Sequence, residues 1–383
     1  MTDLAPLTTL GVGGPATRFF AISRREEIVA AFAVADLRGE PLWVLGGGSN
    51  VVIADAGLPG TVVQITGGSM GRRLIGDDTV EWTVDAGVAW DDFVAATVDA
   101  GATGVELLSG IPGTVGAAPV QNVAAYGQQV CDVITAVGVY DRTSGQTGEV
   151  PPDQCGFGFR TSRFKHGDWA GRAGITHVRF RLPLASAAPP AASTYGDLVR
   201  WFDAHGGEQT DVVARREATL AVRRAKSMVI DPADPMSRSA GSFFVNPEVP
   251  AGTADALIDR FASAGLDVQY LEGRRAADPG ANVRRIPAAL LLRAAGFRAG
   301  DSWGTVQLSD HHVLAMVARE GASADDLWQL SWLIRERVEA ETGVELQPEP
   351  QFLGDFADPD PAMFEARHRF SPGAESEPAW LRG

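Results

Sequence analysis

Two stretches without charged side chains have the composition of loops that bind anionic ligands through backbone amides. They are Gly46–Asn50 (GGGSN) and Ser109–Gly127 (SGIPGTVGAAPVQNVAAYG). Glycine lets a ligand approach the main chain closely, and Pro112 and Pro119 stiffen an open loop. Concave runs of N–H groups bind phosphate and other anionic oxygens. Two such loops predict a cofactor with a diphosphate, although either loop alone is also typical of a tight turn between strands.

Two polar side chains outside these loops could take part in chemistry. Ser242 precedes the bulky pair Phe243-Phe244, which would present a proton donor in a water-poor cleft. A polar turn residue at a buried strand is the alternative. Arg160 lies close to Arg163 and Lys165, a basic cluster suited to a carboxylate or phosphate. A solvated basic edge that prevents strand pairing is the alternative there.

A third candidate is Glu349, which lies between Pro348 and Pro350. The following proline favours extended geometry and so presents the carboxylate from a stiff backbone, although an exposed loop glutamate has the same local sequence. Four further residues could contact a nucleotide, by ring stacking or by charge, or could be ordinary surface positions: Tyr195, Lys226, Asn246 and Tyr270.

The elements around these residues predict an α+β protein. The GGGSN loop is followed by the β-branched run Val51–Ile53, whereas a dinucleotide-binding Rossmann loop or a P-loop opens into a helix. Loop amides, not a helix dipole, would therefore hold the phosphate. Periodicity and capping residues predict helices over Glu26–Leu37, Trp90–Ala100, Asp197–His205, Asp211–Lys226, Ala254–Ala264, Pro287–Ala295 and Ala324–Glu341.

Composition narrows the class of protein. The 383 residues carry a formal charge of −15 without a long basic tract, which argues against a nucleic-acid partner. There is no signal-peptide pattern and no apolar run near the roughly 20 residues of a membrane helix. Cys131 and Cys155 lack CxxC spacing, and the six histidines form no metal-ligand pattern. We therefore expect a cytoplasmic protein without a metal and without membrane insertion.

Taken together, the motifs resemble the UDP-N-acetylenolpyruvoylglucosamine reductase family. The resemblance runs in order along nearly the whole chain, through Thr9–Gly14, Leu45–Asn50, Ser109–Gly127, Phe157–Lys165, Ala240–Pro247 and Leu346–Gly354. The Thr194–Asp197 segment resembles the tyrosine loop that covers the substrate in one class of this family.

The resemblance implies an FAD-binding fold of the vanillyl-alcohol-oxidase type with a third, substrate-binding α+β domain. The FAD-binding subdomains would be residues 1–66 and residues 67–226 with 344–354. Residues 227–343 would form the substrate-binding domain and 355–383 an acidic, flexible tail. The family reduces UDP-N-acetylglucosamine enolpyruvate to UDP-N-acetylmuramate in peptidoglycan precursor synthesis, which serves cell shape and division. Non-covalent FAD and NADPH are implied, and we expect a monomer.

The resemblance also implies residue roles. Arg160 and Glu349 would stabilise an enolate-like intermediate, and Ser242 would deliver the proton. The implied FAD contacts are Gly46, Gly47, Gly48, Ser49, Asn50, Ile111, Pro112, Gly113, Thr114, Gly116, Ala117, Gln121, Asn122 and Gly127. The implied contacts to substrate or NADPH are Tyr195, Lys226, Asn246 and Tyr270.

The chain departs from the family pattern at Gln351, where many relatives have arginine, at Phe159, where tyrosine is common, and at His311-His312, where an amide is common. Two other classes of protein remain open at this point. A flavin-dependent sugar or alcohol oxidase shares the FAD fold, although neither glycine loop contains the His or Cys that often attaches flavin covalently. A nucleotide-binding regulator would need the loops but not Arg160, Ser242 and Glu349 together.

Overall fold

The structure, a computed structural model, describes residues 1–373. The chain begins with a small sheet and one helix, built from β1 (Thr2–Asp3), β2 (Pro15–Ile22), α1 (Arg25–Arg38), β3 (Leu42–Leu45), β4 (Val51–Ile53) and β5 (Leu58–Ile65). The sheet order is β1-β2-β5-β3, and β5 is parallel to both of its neighbours. Helix α1 ends at Gly39, whose φ of 61° terminates it as the sequence predicts.

The GGGSN loop lies between β3 and β4, so it opens into a strand as predicted. Strand β4 pairs in parallel with a segment from far along the chain, Gln351–Leu353, with Gln351 opposite Val51. The two strands form a separate two-stranded sheet, and this pairing places the residues before Gln351 beside Asn50.

A second, antiparallel sheet carries most of the middle of the chain. Its region contains β6 (Met70–Ile75), β7 (Thr79–Asp85), α2 (Trp90–Asp99), α3 (Ala118–Gln121), β8 (Ala124–Ala125), β9 (Gln128–Gln129), β10 (Ile134–Asp141), β11 (Gln146–Val150), α4 (Arg163–His166), β12 (Ala173–Pro183), α5 (Gly196–His205) and α6 (Val212–Ala225). The order is β11-β10-β12-β7-β6. Helix α2 packs on it through Phe93, which stacks on Phe180 at 4.5 Å between ring centroids. Phe32 of α1 belongs to the same core, so the first two units share one apolar interior.

A third sheet with its own core follows. This region contains β13 (Ser239–Ser242), β14 (Glu248–Pro250), α7 (Ala251–Ser263), α8 (Gln269–Ala277), β15 (Val283–Arg285), α9 (Ala288–Ala294), β16 (Ser302–Trp303), β17 (Val306–Ser309), β18 (His312–Ala318) and α10 (Ala324–Thr342). Helix α10 begins with the predicted capping box of Ser323 and Asp326. Val52 of β4 is buried in this third core, so the three units pack together.

The segment after Gly354 is folded where the structure describes it, which corrects the expectation of a flexible tail for residues 355–373. After β19 (Gln351–Leu353) come α11 (Pro361–Arg367) and β20 (Phe370–Ser371). Strand β20 completes the third sheet, which has the order β13-β18-β17-β16-β20, and the Phe370 ring lies 5.2 Å from that of Trp303. Apolar contacts thus order a segment whose acidic composition suggested a tail. The expectation for residues 374–383 lies outside the described residues.

The two cysteines, Cys131 and Cys155, are free thiols. Among residues 1–373, no helix combines the length and the apolar composition needed to cross a membrane.

Candidate active site

A cavity of about 680 Å³ lies where the three units meet. Both glycine loops line it, together with residues from the third sheet and the returning segment. Of the residues singled out in the sequence, those that line it are Gly46, Gly47, Gly48, Ser49, Asn50, Ile111, Pro112, Gly113, Thr114, Gly116, Ala117, Gln121, Arg160, Lys226, Ser242 and Glu349. The cavity falls within the size range of cofactor and ligand sites, roughly 300–1,000 Å³.

The two glycine loops lie directly against each other. A Cβ atom on Gly47 would approach the Cα of Gly113 to 3.0 Å, and one on Gly46 would meet Thr114 Oγ1 at 2.7 Å. Ser49 Oγ donates a hydrogen bond to the carbonyl of Pro112 (3.1 Å). The absence of side chains therefore lets the loops form one continuous main-chain wall of the cavity.

The start of helix α2 holds the central loop in place. The amide of Trp90 donates to the Gly113 carbonyl at 3.0 Å, and the amide of Gly110 donates to Asp91 Oδ1 at 2.6 Å. Asp91 is itself held by both guanidinium NH2 groups of Arg216, at 2.7 and 2.8 Å. The loop is thus fixed at both sides of its Ile111–Pro112 segment.

Backbone pairing brings Ser242 and Glu349 to the same end of the cavity. The Glu349 amide donates to the Phe243 carbonyl at 2.8 Å, and the Val245 amide donates to the Gln347 carbonyl at 3.0 Å. The residue after Ser242 is therefore hydrogen-bonded to Glu349 although the two lie about a hundred positions apart along the chain.

Glu349 is a largely buried carboxyl group, with a side-chain exposure of 13%, in a polar cluster. Its Oε1 accepts a hydrogen bond from Gln121 Nε2 at 2.5 Å and lies 3.6 Å from Arg160 Nε. Burial raises the pKa of Glu349 above its ordinary value of 4.5, although the charges of Arg160 and Lys165 act in the opposite direction. Burial thus shifts this carboxyl group towards its protonated form relative to an exposed glutamate.

The orientation of Gln121 follows from its other partners. Its Oε1 accepts hydrogen bonds from Asn50 Nδ2 at 2.5 Å and from Lys165 Nζ at 3.4 Å. Because both partners can only donate through these atoms, the Gln121 amide nitrogen faces Glu349 as a donor. Oε1 of Glu349 is therefore an acceptor, and a proton on this carboxyl group belongs on Oε2.

Arg160 stands at the tip of a tight turn. The amide of Gly158 donates to the Thr161 carbonyl at 3.0 Å, which leaves Phe159 and Arg160 as the two central residues. Arg160 has a φ of 55°, a conformation that is uncommon for a residue with a side chain and that clusters at functional sites. The turn directs the guanidinium towards Glu349.

Ser242 ends strand β13, beside Gly241 with its φ of 68°. Its side chain lines the cavity, and within residues 1–373 no group hydrogen-bonds its hydroxyl. The hydroxyl is therefore available to a ligand.

Lys226 and His312 form a second polar region of the cavity wall. Lys226 forms an ion pair with Asp197 at the start of α5, and the ring of Tyr195 packs edge-on against that of Tyr126 at 5.9 Å. His312 lines the same region, and its Nδ1 accepts a hydrogen bond from the Leu314 amide. Burial, and secondarily the charge of Lys226, lowers the pKa of His312 to about 4. His312 is therefore a neutral imidazole at physiological pH.

Several residues implied by the resemblance lie outside the cavity wall. Asn122 is buried and binds the Gly158 carbonyl through Nδ2 at 3.0 Å, so it supports the turn of Arg160. Gly127 lies next to the Tyr195 ring. Asn246 Oδ1 accepts from the Ala288 amide at 2.8 Å and so satisfies the start of α9. Tyr270 is 70% exposed on α8.

Among the cavity residues that were not identified in the sequence are Tyr126, Arg223 and Ser227. Arg223 lies one helical turn before Lys226, a spacing that could have marked it. Its guanidinium is buried, its NH2 donates to the Met228 carbonyl at 2.9 Å, and its Nε has no partner in residues 1–373. Burial lowers the pKa of Arg223. Tyr126 and Ser227, with φ of 49° and 54°, share the unusual backbone conformation of Arg160.

Comparison with known proteins assigns the chain to a class. Residues 16–150 match the FAD-binding domain family, and residues 231–353 match the family described as UDP-N-acetylenolpyruvoylglucosamine reductase, C-terminal domain. Among curated proteins, the reductase of this name from Thermobifida fusca is 42% identical over 352 residues, which are 92% of this chain and 96% of that protein. The Saccharopolyspora erythraea protein of the same name is 42% identical, with 91% and 93% of the two chains covered.

A crystal structure of the Thermus caldophilus UDP-N-acetylenolpyruvylglucosamine reductase has a TM-score of 0.60 and 25% identity, and covers 92% of this chain and 98% of that one. The class is thus an FAD-dependent oxidoreductase, with an α+β FAD-binding fold of the vanillyl-alcohol-oxidase type as the resemblance implied. The chain belongs to the UDP-N-acetylenolpyruvoylglucosamine reductase family.

The residues of the cavity fit FAD. The loop wall leaves main-chain groups exposed to a diphosphate, and the unpartnered Nε of buried Arg223 suits a cofactor oxygen. Within the described residues, no group of three or more His, Cys, Asp or Glu side chains could hold a metal ion.

Proposed function

We propose that this protein reduces UDP-N-acetylglucosamine enolpyruvate to UDP-N-acetylmuramate, with NADPH as reductant. The observation that carries the proposal is the cluster of Arg160, Glu349 and Ser242 at one end of a cavity walled by the two glycine loops. The reaction would place the protein in the cytoplasm, in peptidoglycan precursor synthesis, and thus in the control of cell shape and division. We propose a monomer, as the resemblance to the family implies.

Bound FAD, held non-covalently by the loops at Gly46–Asn50 and Ile111–Gln121 with Arg223, would take two electrons and a proton from NADPH and pass them as hydride to the enolpyruvyl methylene. NADPH and substrate would use the same cavity in turn. Hydride addition at the methylene leaves an electron pair on the neighbouring carbon and its carboxylate, so the protein must stabilise negative charge and supply one proton.

Arg160 and Glu349 are suited to the first task. The guanidinium of Arg160 supplies fixed positive charge for the substrate carboxylate. Glu349 helps only when protonated, because a carboxylate would repel the developing charge. Burial raises the pKa of Glu349, whereas the hydrogen bond from Gln121 lowers it. Because Gln121 donates to Oε1, a proton on this carboxyl group would lie on Oε2, where it can be donated to the substrate.

Ser242 is suited to the second task. Its hydroxyl has no partner among residues 1–373 and lies on the backbone segment that is hydrogen-bonded to Glu349. It would transfer its proton to the carbon next to the carboxylate, which completes the lactyl group, and would recover a proton from solvent.

The part of the cavity around Lys226 would bind the nucleotide part of the substrate. Lys226 would bind the diphosphate, and Tyr195, half-exposed against Tyr126, would cover it. Asn246 and Tyr270 would have to act indirectly or after a movement, since neither lines the cavity, and Tyr195, which does not line it either, would act from beside Tyr126.

An anaerobic spectroscopic titration tests the proposal. NADPH should bleach the flavin band, and UDP-N-acetylglucosamine enolpyruvate should restore it without air. Restoration only by air would indicate an oxidase, and the lack of a flavin band after reconstitution with FAD would overturn the proposal. The Ser242→Ala variant should keep FAD and lose about 10²- to 10⁴-fold in turnover, whereas near-normal turnover would exclude Ser242 as the proton donor.

A further inference from the structure

An aromatic ring from the FAD-binding part of the chain is covered by a cation from the third domain. The Cζ atom of Arg285 lies 3.6 Å from the centroid of the Phe159 ring. Phe159 is 44% exposed, and the Cζ atom of Arg160 also lies over its ring, 5.9 Å from the centroid. Arg285 belongs to strand β15 and is held in turn by an ion pair with Glu248, its register partner on β14.

Phe159 and Arg160 are the two central residues of one tight turn. The turn is closed by mutual backbone hydrogen bonds of Gly158 and Thr161, at 3.0 and 3.4 Å. Arg160 adopts a φ of 55° there, which costs free energy and persists only where the surroundings hold it. Arg160 reaches Glu349, and the Phe159 ring beside it is contacted by both Arg160 and Arg285.

We propose that Arg285 is a positioning residue, which fixes Arg160 through the Phe159 ring. The stack joins the third domain to the turn and holds Arg160 in its unusual conformation without touching the substrate. Arg285 does not line the cavity, so it does not act as a direct substrate contact. This inference rests on the proposed function, because the group it positions is the proposed binder of the substrate carboxylate.

The geometry is specific to arginine on an aromatic ring. A planar guanidinium stacks on a ring face and is weakly hydrated, whereas a lysine ammonium is a hydrated point charge. Tyrosine at position 159 would keep the ring. Leucine would keep apolar area without the ring quadrupole.

The test measures the two halves of the reaction separately in FAD-loaded enzyme. Enzyme reduced anaerobically with dithionite is mixed with UDP-N-acetylglucosamine enolpyruvate, and flavin reoxidation is followed by stopped flow. We expect Arg285→Gln and Phe159→Leu each to slow reoxidation at saturating substrate about two- to fivefold. The double variant should be no slower than the slower single variant, since both remove one contact. Phe159→Tyr should retain the wild-type rate.

Two controls separate the stack from other effects of the same residues. Glu248→Gln removes the ion pair with Arg285 but leaves Arg285 on the ring. Arg275→Gln removes a different arginine, which lies on α8 and pairs with Asp259 on α7. Both should reoxidise like the wild type. Reduction of the flavin by NADPH should be unchanged in all these variants, because Arg160 is not needed in that half-reaction.

Three results would overturn the proposal. The first is a reoxidation rate for Arg285→Gln equal to that for Arg275→Gln. The second is a double variant slowed by the product of the two single effects of Arg285→Gln and Phe159→Leu. The third is a change only in the half-saturating substrate concentration, with the rate at saturating substrate unchanged. Failure of the proposed function is distinguishable, because wild-type enzyme would then not be reoxidised by this substrate. A double-mutant cycle on unfolding by denaturant still measures the contact in that case. Coupling there without any effect of Arg285→Gln on reoxidation would show a purely structural contact, against a positioning role.

Discussion

Replacing Glu349 by glutamine tests the assignment of a protonated carboxyl group most directly. Glutamine has nearly the same shape, and its carbonyl oxygen can take the place of Oε1, accepting from Gln121 and lying 3.6 Å from Arg160. The amide NH2 then replaces the protonated oxygen. It can still donate to developing negative charge, but it cannot share an acidic proton.

The size of the effect follows from what is removed. Deleting one group that stabilises transition-state charge costs about 10²- to 10³-fold in rate, or about 2.7–4 kcal/mol. Because a neutral donor remains in Glu349→Gln, we expect a loss near the lower value, about 10²-fold. In Glu349→Ala no donor remains and Gln121 loses its acceptor, so the loss should be near the upper value, about 10³-fold.

The assay is reoxidation of dithionite-reduced enzyme by UDP-N-acetylglucosamine enolpyruvate in an anaerobic stopped-flow instrument. Glu345→Gln is the matched control, because Glu345 lies on the same returning segment and is exposed, paired with Arg335 at 3.1 Å. Cofactor content and the rate of reduction by NADPH should be unchanged in every variant. If Glu349→Gln reoxidised within about threefold of the wild type, far from the losses typical of such groups, the role of Glu349 in charge stabilisation would be refuted.

Three further predictions concern stability and pH. Burial raises the pKa of Glu349 above 4.5, so the folded state retains a proton that the unfolded state loses. The free energy of unfolding should therefore fall as pH rises from the unfolded-state pKa to the folded-state pKa of Glu349. Denaturant midpoints measured across pH should show this decrease in the wild type and a smaller one in Glu349→Gln. Gly48→Ala should lower the free energy of unfolding by more than about 1 kcal/mol and so lower the melting temperature. The reason is that Gly48 has a φ of 63° and that a Cβ there would collide with the Leu7 carbonyl. An unchanged thermal transition would contradict the loop packing. Truncation after Gly354 should lower the free energy of unfolding by roughly 2–5 kcal/mol, because it uncovers the fully buried Trp303 and removes the buried Phe364. An unchanged melting temperature would support a loose tail instead.

Much of the fold could be predicted from local sequence. Capping and glycine signals placed the ends of α1 and α10 within one or two residues, and the β-branched residues after the GGGSN loop correctly excluded a Rossmann loop. These features depend on neighbours along the chain. The pairing of β19 with β4 could not be predicted, because no local property of Gln351–Leu353 names its partner.

The candidate site was predictable where a motif carries its own residues, as for Arg160, Ser242 and Glu349, and less so where function depends on distant contacts. Asn246 satisfies the start of a helix 42 positions later, at Ala288, a contact that no local pattern reveals. The segment 355–373 was misjudged for a related reason: its order comes from Phe370 against Trp303, and not from its own composition.

The charge of the cavity explains how so acidic a protein can bind an anionic substrate. The chain has a net charge of −15, yet the charged residues that line the cavity are five cations and one carboxyl group: Arg142, Arg160, Lys165, Arg223, Lys226 and Glu349. Arg142 and Lys226 are neutralised by Asp36 and Asp197, which leaves the excess positive charge at Arg160, Lys165 and Arg223. A proton on Glu349 removes the remaining negative charge from this group. The acidic exterior would favour solubility, while the local field would attract phosphate and carboxylate groups to the cavity. Net charge alone would have argued against an anionic ligand, and only the arrangement of these side chains removes that objection.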